Sequence, residues 1–215
     1  MATPAPSRLA AAAELGCLVF CIEAIQWVVP LTRNPRAAYL GLAVVILMLL
    51  AVCYIRDGVS AKQLGFRFDN FFRALARIVL PLGIFVALAF LIGMAAGSLR
   101  FGKKFFSMLL FVPSWALLQQ YMLLAFASPR LRVLFGDGRR NVLAAAALFA
   151  LLHLPNPVLM VVCAVGGYVW ARVYEREPNL FAAALTHAVA SAFLANSLPG
   201  WLLKNMVTGY NYFFR

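Results

Sequence analysis

The stretch WALLQQYMLLAF, residues 115–126, is apolar on both sides of two adjacent glutamines, Gln119 and Gln120. A side-chain amide removed from water without a partner costs roughly 2–7 kcal/mol. Two such amides in the middle of an apolar run therefore need either partners from neighbouring helices or a task. The surroundings decide that the run lies in a membrane. The chain has 215 residues, of which 64% are hydrophobic and 12% charged, while a soluble domain carries about 25% charged residues. The composition points to an all-α polytopic membrane helix bundle and not to a soluble globule with an anchor.

Hydropathy predicts seven spans, at about 9–30, 37–55, 78–97, 105–127, 141–155, 157–174 and 180–198, with the core formed by the last four. The chain reads as one integral membrane domain over 1–215. Residues 1–77 would supply N-terminal helices and a linker, 78–198 the core, and 199–215 a tail. In the linker, FDNFFRALARI gathers Phe71, Phe72, Leu75 and Ile78 on one side and Arg73 and Arg77 on another. This is either an interfacial amphipathic helix or the third span extending beyond the membrane edge. Pro155-Asn156-Pro157 breaks the fifth run and starts the sixth at once, predicting a tight hairpin. Gly93 and Gly97 form a GxxxG pair, read as close packing inside the bundle.

The net charge of +12 is assigned to lipid and topology, and no nucleic-acid partner is expected. Most Lys and Arg residues sit in short loops between apolar runs. Of the 19 basic residues, 12 fall at the N-terminus and after spans two, four and six, and 7 on the other side. The positive-inside rule then predicts a cytoplasmic N-terminus. Cys17, Cys21, Cys53 and Cys163 lie in apolar runs and read as packing residues. Glu14 and Glu23 interrupt the first run, which argues against a signal peptide.

Ionisable and amide groups inside spans mark function by default. Besides Gln119 and Gln120, the chain has two histidines, His153 and His187, both in apolar runs. By helix rise, Gln119 lies about 12 Å, His187 about 10 Å and His153 about 18 Å from the predicted cytoplasmic ends of their spans. These depths predict one shared cluster, in a cavity opening to the cytoplasmic side or laterally into that leaflet.

The ordered set QQYMLL, then FALLH from Phe149 to His153, then HAVAS from His187, resembles the motifs of the CAAX protease and bacteriocin-processing (CPBP, Abi) family. These are intramembrane endopeptidases related to the type II CAAX prenyl protease. The family pattern is EExxxR, FxxxH and HxxxN or HxxxD, and SAKQLGFR before the third span is similar to a loop that precedes this family's core. The resemblance covers about residues 60–198. It implies catalytic positions at Gln119, Gln120, His153 and His187 and binding positions at Phe149, Asn156 and Ser191. It also implies a membrane peptide or a prenylated or bacteriocin-like substrate, and a bacterial inner (cytoplasmic) membrane location. Three motif positions depart: the glutamate pair is Gln119 and Gln120, the arginine is Leu124, and the last position is Ser191.

A glutamine amide is not a base near neutral pH, so the family's water-activating carboxylate is lost. Two histidines and two amides are a poor zinc set, and no metal or other cofactor is expected. The chain is therefore either a peptidase homologue whose activity is reduced or altered, or an inactive membrane binder, regulator or immunity protein using the same cavity. Transport lacks the inverted repeat it would call for. A Ser191–His187 nucleophile pair is the i, i+4 spacing of one helix face and not that of a triad.

Overall fold

The computed structural model describes residues 6–214. Every regular element among them is helical. In chain order they are α1 (Arg8–Trp27), α2 (Pro35–Asp57), α3 (Phe71–Ala95), α4 (Lys103–Gln120), α5 (Ser128–Phe135), α6 (Arg139–Leu151), α7 (Pro157–Tyr174), α8 (Leu180–Ser197) and α9 (Gly200–Leu203). A π-helical turn, Tyr121–Ala127, joins α4 to α5 without a break. Two short 3₁₀ segments, Lys204–Met206 and Gly209–Phe213, follow α9.

Local chemistry sets the helix starts. Ser7, Asn34, Asn156 and Asn179 each cap a helix by accepting from the backbone N–H three residues on, and Pro35 and Pro157 take first-turn positions that need no N–H donor. Six helical stretches are long and apolar enough to cross a membrane, with α4, the π-turn and α5 together making one of 33 residues. The fifth predicted span is different. Its helix α6 has 13 residues, about 20 Å by helix rise, against about 30 Å of bilayer hydrocarbon. It forms the expected hairpin with α7, closed by the turn at 152–156. Between the two readings of FDNFFRALARI, the extended third span is the observed one, because α3 runs unbroken from Phe71 to Ala95.

Hydrogen bonds between helix ends show that the spans alternate in direction. At one end, Arg8 donates to Leu134 O, Asn179 to Arg67 O, and Tyr174 OH to Leu64 O. At the other, Arg100 N donates to Asn196 O, and Gln26 donates to Leu152 O. The first may be named the Arg8 end and the second the Trp27 end. The main apolar core joins α3, the π-turn and α5 of the fourth span, α6, α7 and α8, so α3 adds to the four spans expected there. Of the GxxxG pair, only Gly93 packs closely: a Cβ there would lie 2.5 Å from Ser197 O, on α8. Gly97 has open space around it and a φ of +60°, and it turns the chain after α3.

The loop SAKQLGFR docks on the α7–α8 junction. Gly65, at φ +87°, accepts from Leu180 N, and its missing Cβ lets the backbone of Asn179 and Leu180 approach. A bound pair in this loop, Arg67 with Asp69, holds the Asp69 carboxyl well below the usual carboxylate range.

Candidate functional site

A cavity of about 510 Å³ lies inside the bundle between α1, α2, α4, α6, α7 and α8. Among the described residues that line it, none is charged. Its polar groups are Gln26, Gln119, His153, His187, Ser191 and Thr208, set among aliphatic side chains, Tyr39, Trp115, Phe149 and Trp170. The expected cluster therefore forms: Gln119, His153 and His187 share one cavity, and Phe149 and Ser191 line it with them. One phenyl ring separates the imidazoles, since Phe149 lies 4.9 Å from the His153 ring and 5.7 Å from the His187 ring, edge to face in both cases.

The two glutamines do different things. Gln119 borders the cavity. Gln120 is fully buried behind it, and its Nε2 lies 3.1 Å from His187 Nδ1. In this amide orientation, which leaves Gln120 Oε1 buried without a hydrogen-bond partner, Nδ1 accepts and the neutral imidazole carries its proton on Nε2. On one face His187 stacks with Trp170 at 4.7 Å, and Trp170 Nε1 donates to Thr186 Oγ1. His153 has the opposite tautomer. Its Nδ1 lies 2.6 Å from Phe149 O, and a carbonyl only accepts, so Nδ1 carries the proton and Nε2 keeps its lone pair. The site thus offers one imidazole acceptor and one imidazole N–H donor.

Two expectations need correction. Asn156 is not part of the cavity. Its Oδ1 caps α7 at Leu159 N, and its Nδ2 donates to Leu203 O and Val207 O. Both ends of the side chain are occupied in fixing the C-terminal segment to the hairpin. The depth of Gln119 also differs. The cavity lining reaches the Trp27 end at Gln26, Tyr39, Met108 and Thr208, and extends toward the Arg8 end as far as Ala127 and Trp170. The depth estimate failed because the helix carrying Gln119 continues to Phe135, which puts Gln119 about 24 Å from its end by helix rise.

Leu124, at the motif arginine's position, is a fully buried core residue. The bundle does contain a buried cation, Arg130, at the Arg8 end. It donates to Glu14 and Asp57 at 2.9 Å each and to Phe126 O, and its guanidinium lies over the Phe126 ring. Arg56 completes the network with Glu14 and Asp57. Sequence reasoning missed this pairing, whose partners lie 73 and 116 residues from Arg130. The visible signal was Glu14, a carboxylate inside an apolar span. Trp170 and Gln26 were missed as well, because nothing local distinguishes them from packing residues.

No group of three or more His, Cys, Asp or Glu side chains that could hold a metal occurs among the described residues. The donor set at the cavity, two imidazoles and two amides, supplies no anionic ligand to a hard or borderline cation.

The model of the family described as Type II CAAX prenyl endopeptidase Rce1-like matches residues 61–193. The chain belongs to this family. The matched region runs from the docked loop before α3 to the α8 turns carrying His187 and Ser191, and leaves α1, α2 and the C-terminal segment outside it. No curated protein and no solved structure gives a significant match. The six apolar spans and the family together make this an integral membrane protein with a CAAX-protease-like core.

Proposed function

We infer that this chain captures a membrane-embedded or lipid-modified peptide in the cavity and does not turn it over at a peptidase's rate. The observation that carries this reading is the uncharged lining around Gln119, His153 and His187. Water attack on a peptide carbonyl needs a base. His153 Nε2 is the imidazole acceptor available, and protonating it would leave a cation in an apolar cavity with no anion beside it, a costly state. With a glutamate facing the cavity at 119 that charge could be balanced; with glutamine it is not. What remains is a set of hydrogen-bonding groups suited to a peptide backbone: the Gln119 amide, the His187 Nε2–H and the Ser191 hydroxyl.

A second reading is favoured by the tautomers themselves. His153 Nε2 would act as base while His187 Nε2–H polarises the carbonyl, giving slow hydrolysis without a carboxylate. The two readings differ in whether the bound peptide survives.

The charge bias of 12 against 7 supports placing the Arg8 end in the cytoplasm, and the family resemblance extends the proposal to a bacterial cytoplasmic membrane. In that orientation the His153 turn, Gln26 and Thr208 lie toward the outer half of the bilayer, the side from which we propose the peptide enters. Binding is tested with a fluorescent prenylated peptide and its unmodified twin on the purified protein in detergent. Saturable binding of the lipidated form, lost when Ala190→Trp fills the cavity, is expected. Equal, non-saturable uptake by both proteins would overturn the reading.

A further inference from the structure

We propose that Gln26, on α1 and outside the matched family region, is a positioning residue for His153, acting together with the C-terminal segment through Gly209. This rests on the reading of the cavity as a peptide site.

His153 is not on a helix. It sits in the turn after α6, and the carbonyls on either side of it point at donors from distant elements. Gln26 Nε2 donates to Leu152 O at 2.8 Å. Gly209 N donates to Leu154 O at 2.8 Å. These two bonds bracket the residue whose Nδ1–H to Phe149 O bond frees Nε2.

The donors are themselves joined. Gly209 has φ +61°, and a Cβ there would meet Gln26 O at 2.5 Å and Gln26 Cβ at 2.7 Å. Only glycine lets the C-terminal segment close on α1 while reaching Leu154. Gln26 also leaves Oε1 buried without a protein partner. An unpaired buried acceptor is destabilising, so the Nε2 bond to Leu152 O is what this side chain contributes in return. A fixed turn sets the ring's rotamer and tautomer, as second-layer hydrogen bonds do for working histidines. The site is then completed by the first helix and the tail, which clamp the hairpin of the family core from both sides.

The test uses the fact that the chain has two histidines. Full-length protein in nanodiscs, labelled with ring-¹⁵N histidine, gives two imidazole sets, assigned with a His187→Gln sample. Wild type should show His153 fixed with the proton on Nδ1. Gln26→Met and Gln26→Glu each remove the N–H donor while keeping the chain length. Both should move the His153 nitrogens toward averaged tautomer shifts, leave the His187 nitrogens in place, and weaken binding of a prenylated peptide by about fivefold to tenfold, the worth of one hydrogen bond. Gly209→Ala should give the same His153 signature from the other carbonyl.

Unchanged His153 nitrogens in folded Gln26→Met and Gln26→Glu overturn the inference, as does equal movement of both histidines, which would report general loosening. If the Gln26 variants do not fold, an unchanged His153 set in Gly209→Ala overturns it. If His153 moves as expected and the wild type binds no lipidated peptide, the positioning role stands and the peptide reading is the one that fails.

Discussion

Gln120, behind the cavity, meets His187 in its wall, a buried amide on a buried imidazole. Hydrogen bonds between membrane helices average about 0.6 kcal/mol and rarely exceed about 1.7 kcal/mol. In a double-mutant cycle of Gln120→Ala and His187→Ala, followed by thermal melting in detergent, a coupling in that range is expected. The Gln119 and Gln120 pair should then separate by role. Gln120→Ala should lower the melting temperature and disturb His187. Gln119→Ala, whose side chain borders open space, should leave melting nearly unchanged and weaken peptide binding. Equal effects of the two on melting would mean that both are structural. The glutamine pair was legible in the sequence as an anomaly, but its division of labour was not: neighbouring residues on a helix face about 100° apart, and only the bundle tells which one meets the cavity.

Among the elements, the Arg130 network ties α1, α2 and α5 together at the Arg8 end. Its guanidinium is 4% exposed, against 11% for Glu14 and 21% for Asp57. Removing one member of a fully buried ion pair costs about 3–5 kcal/mol, and less here, where Arg56 still pairs with Glu14 and Asp57. Arg130→Met should therefore lower detergent stability by less than that, read by thermal melting, and Glu14→Gln in the same chain should recover part of it. The docked loop carries a weaker pH signature. Asp69's carboxyl is held below its ordinary value by Arg67, so the pair's contribution is present above about pH 4 and is lost as acid protonates Asp69. Protection factors in residues 60–70, which take out the intrinsic pH dependence of exchange, should fall only in acid. Which elements form was largely readable, because Asn caps, Pro starts and apolar length are local signals. Their ends were less so. Helix four ran past the expected end at residue 127, since Ser128 and Pro129 continue a helix in which a π-turn absorbs the change of register. Asn156 looked like a polar group in the site, and its actual partners lie 47 and 51 residues away.

For the molecule as a whole, the alternating spans put most basic side chains at the Arg8 end, and Thr208, on the cavity wall, at the Trp27 end. In a cysteine-free background, Thr208→Cys should react with an impermeant maleimide added outside intact cells, and Lys62→Cys should not. The opposite pattern would invert the orientation and bring the Trp27 end to the cytoplasmic face. The proposed peptide cavity has glutamines where the family pattern has glutamates, and one comparison of cleavage tests whether a base is missing. A prenylated membrane peptide is incubated at saturating concentration with wild type, with Gln119→Glu/Gln120→Glu, and with His153→Ala, and the products are read by mass spectrometry. The account predicts an intact peptide with wild type and with His153→Ala, and cleavage once the two glutamates are present. Wild-type cleavage that His153→Ala reduces by about two orders of magnitude, the worth of a general base, would contradict it and make His153 the base of a working peptidase.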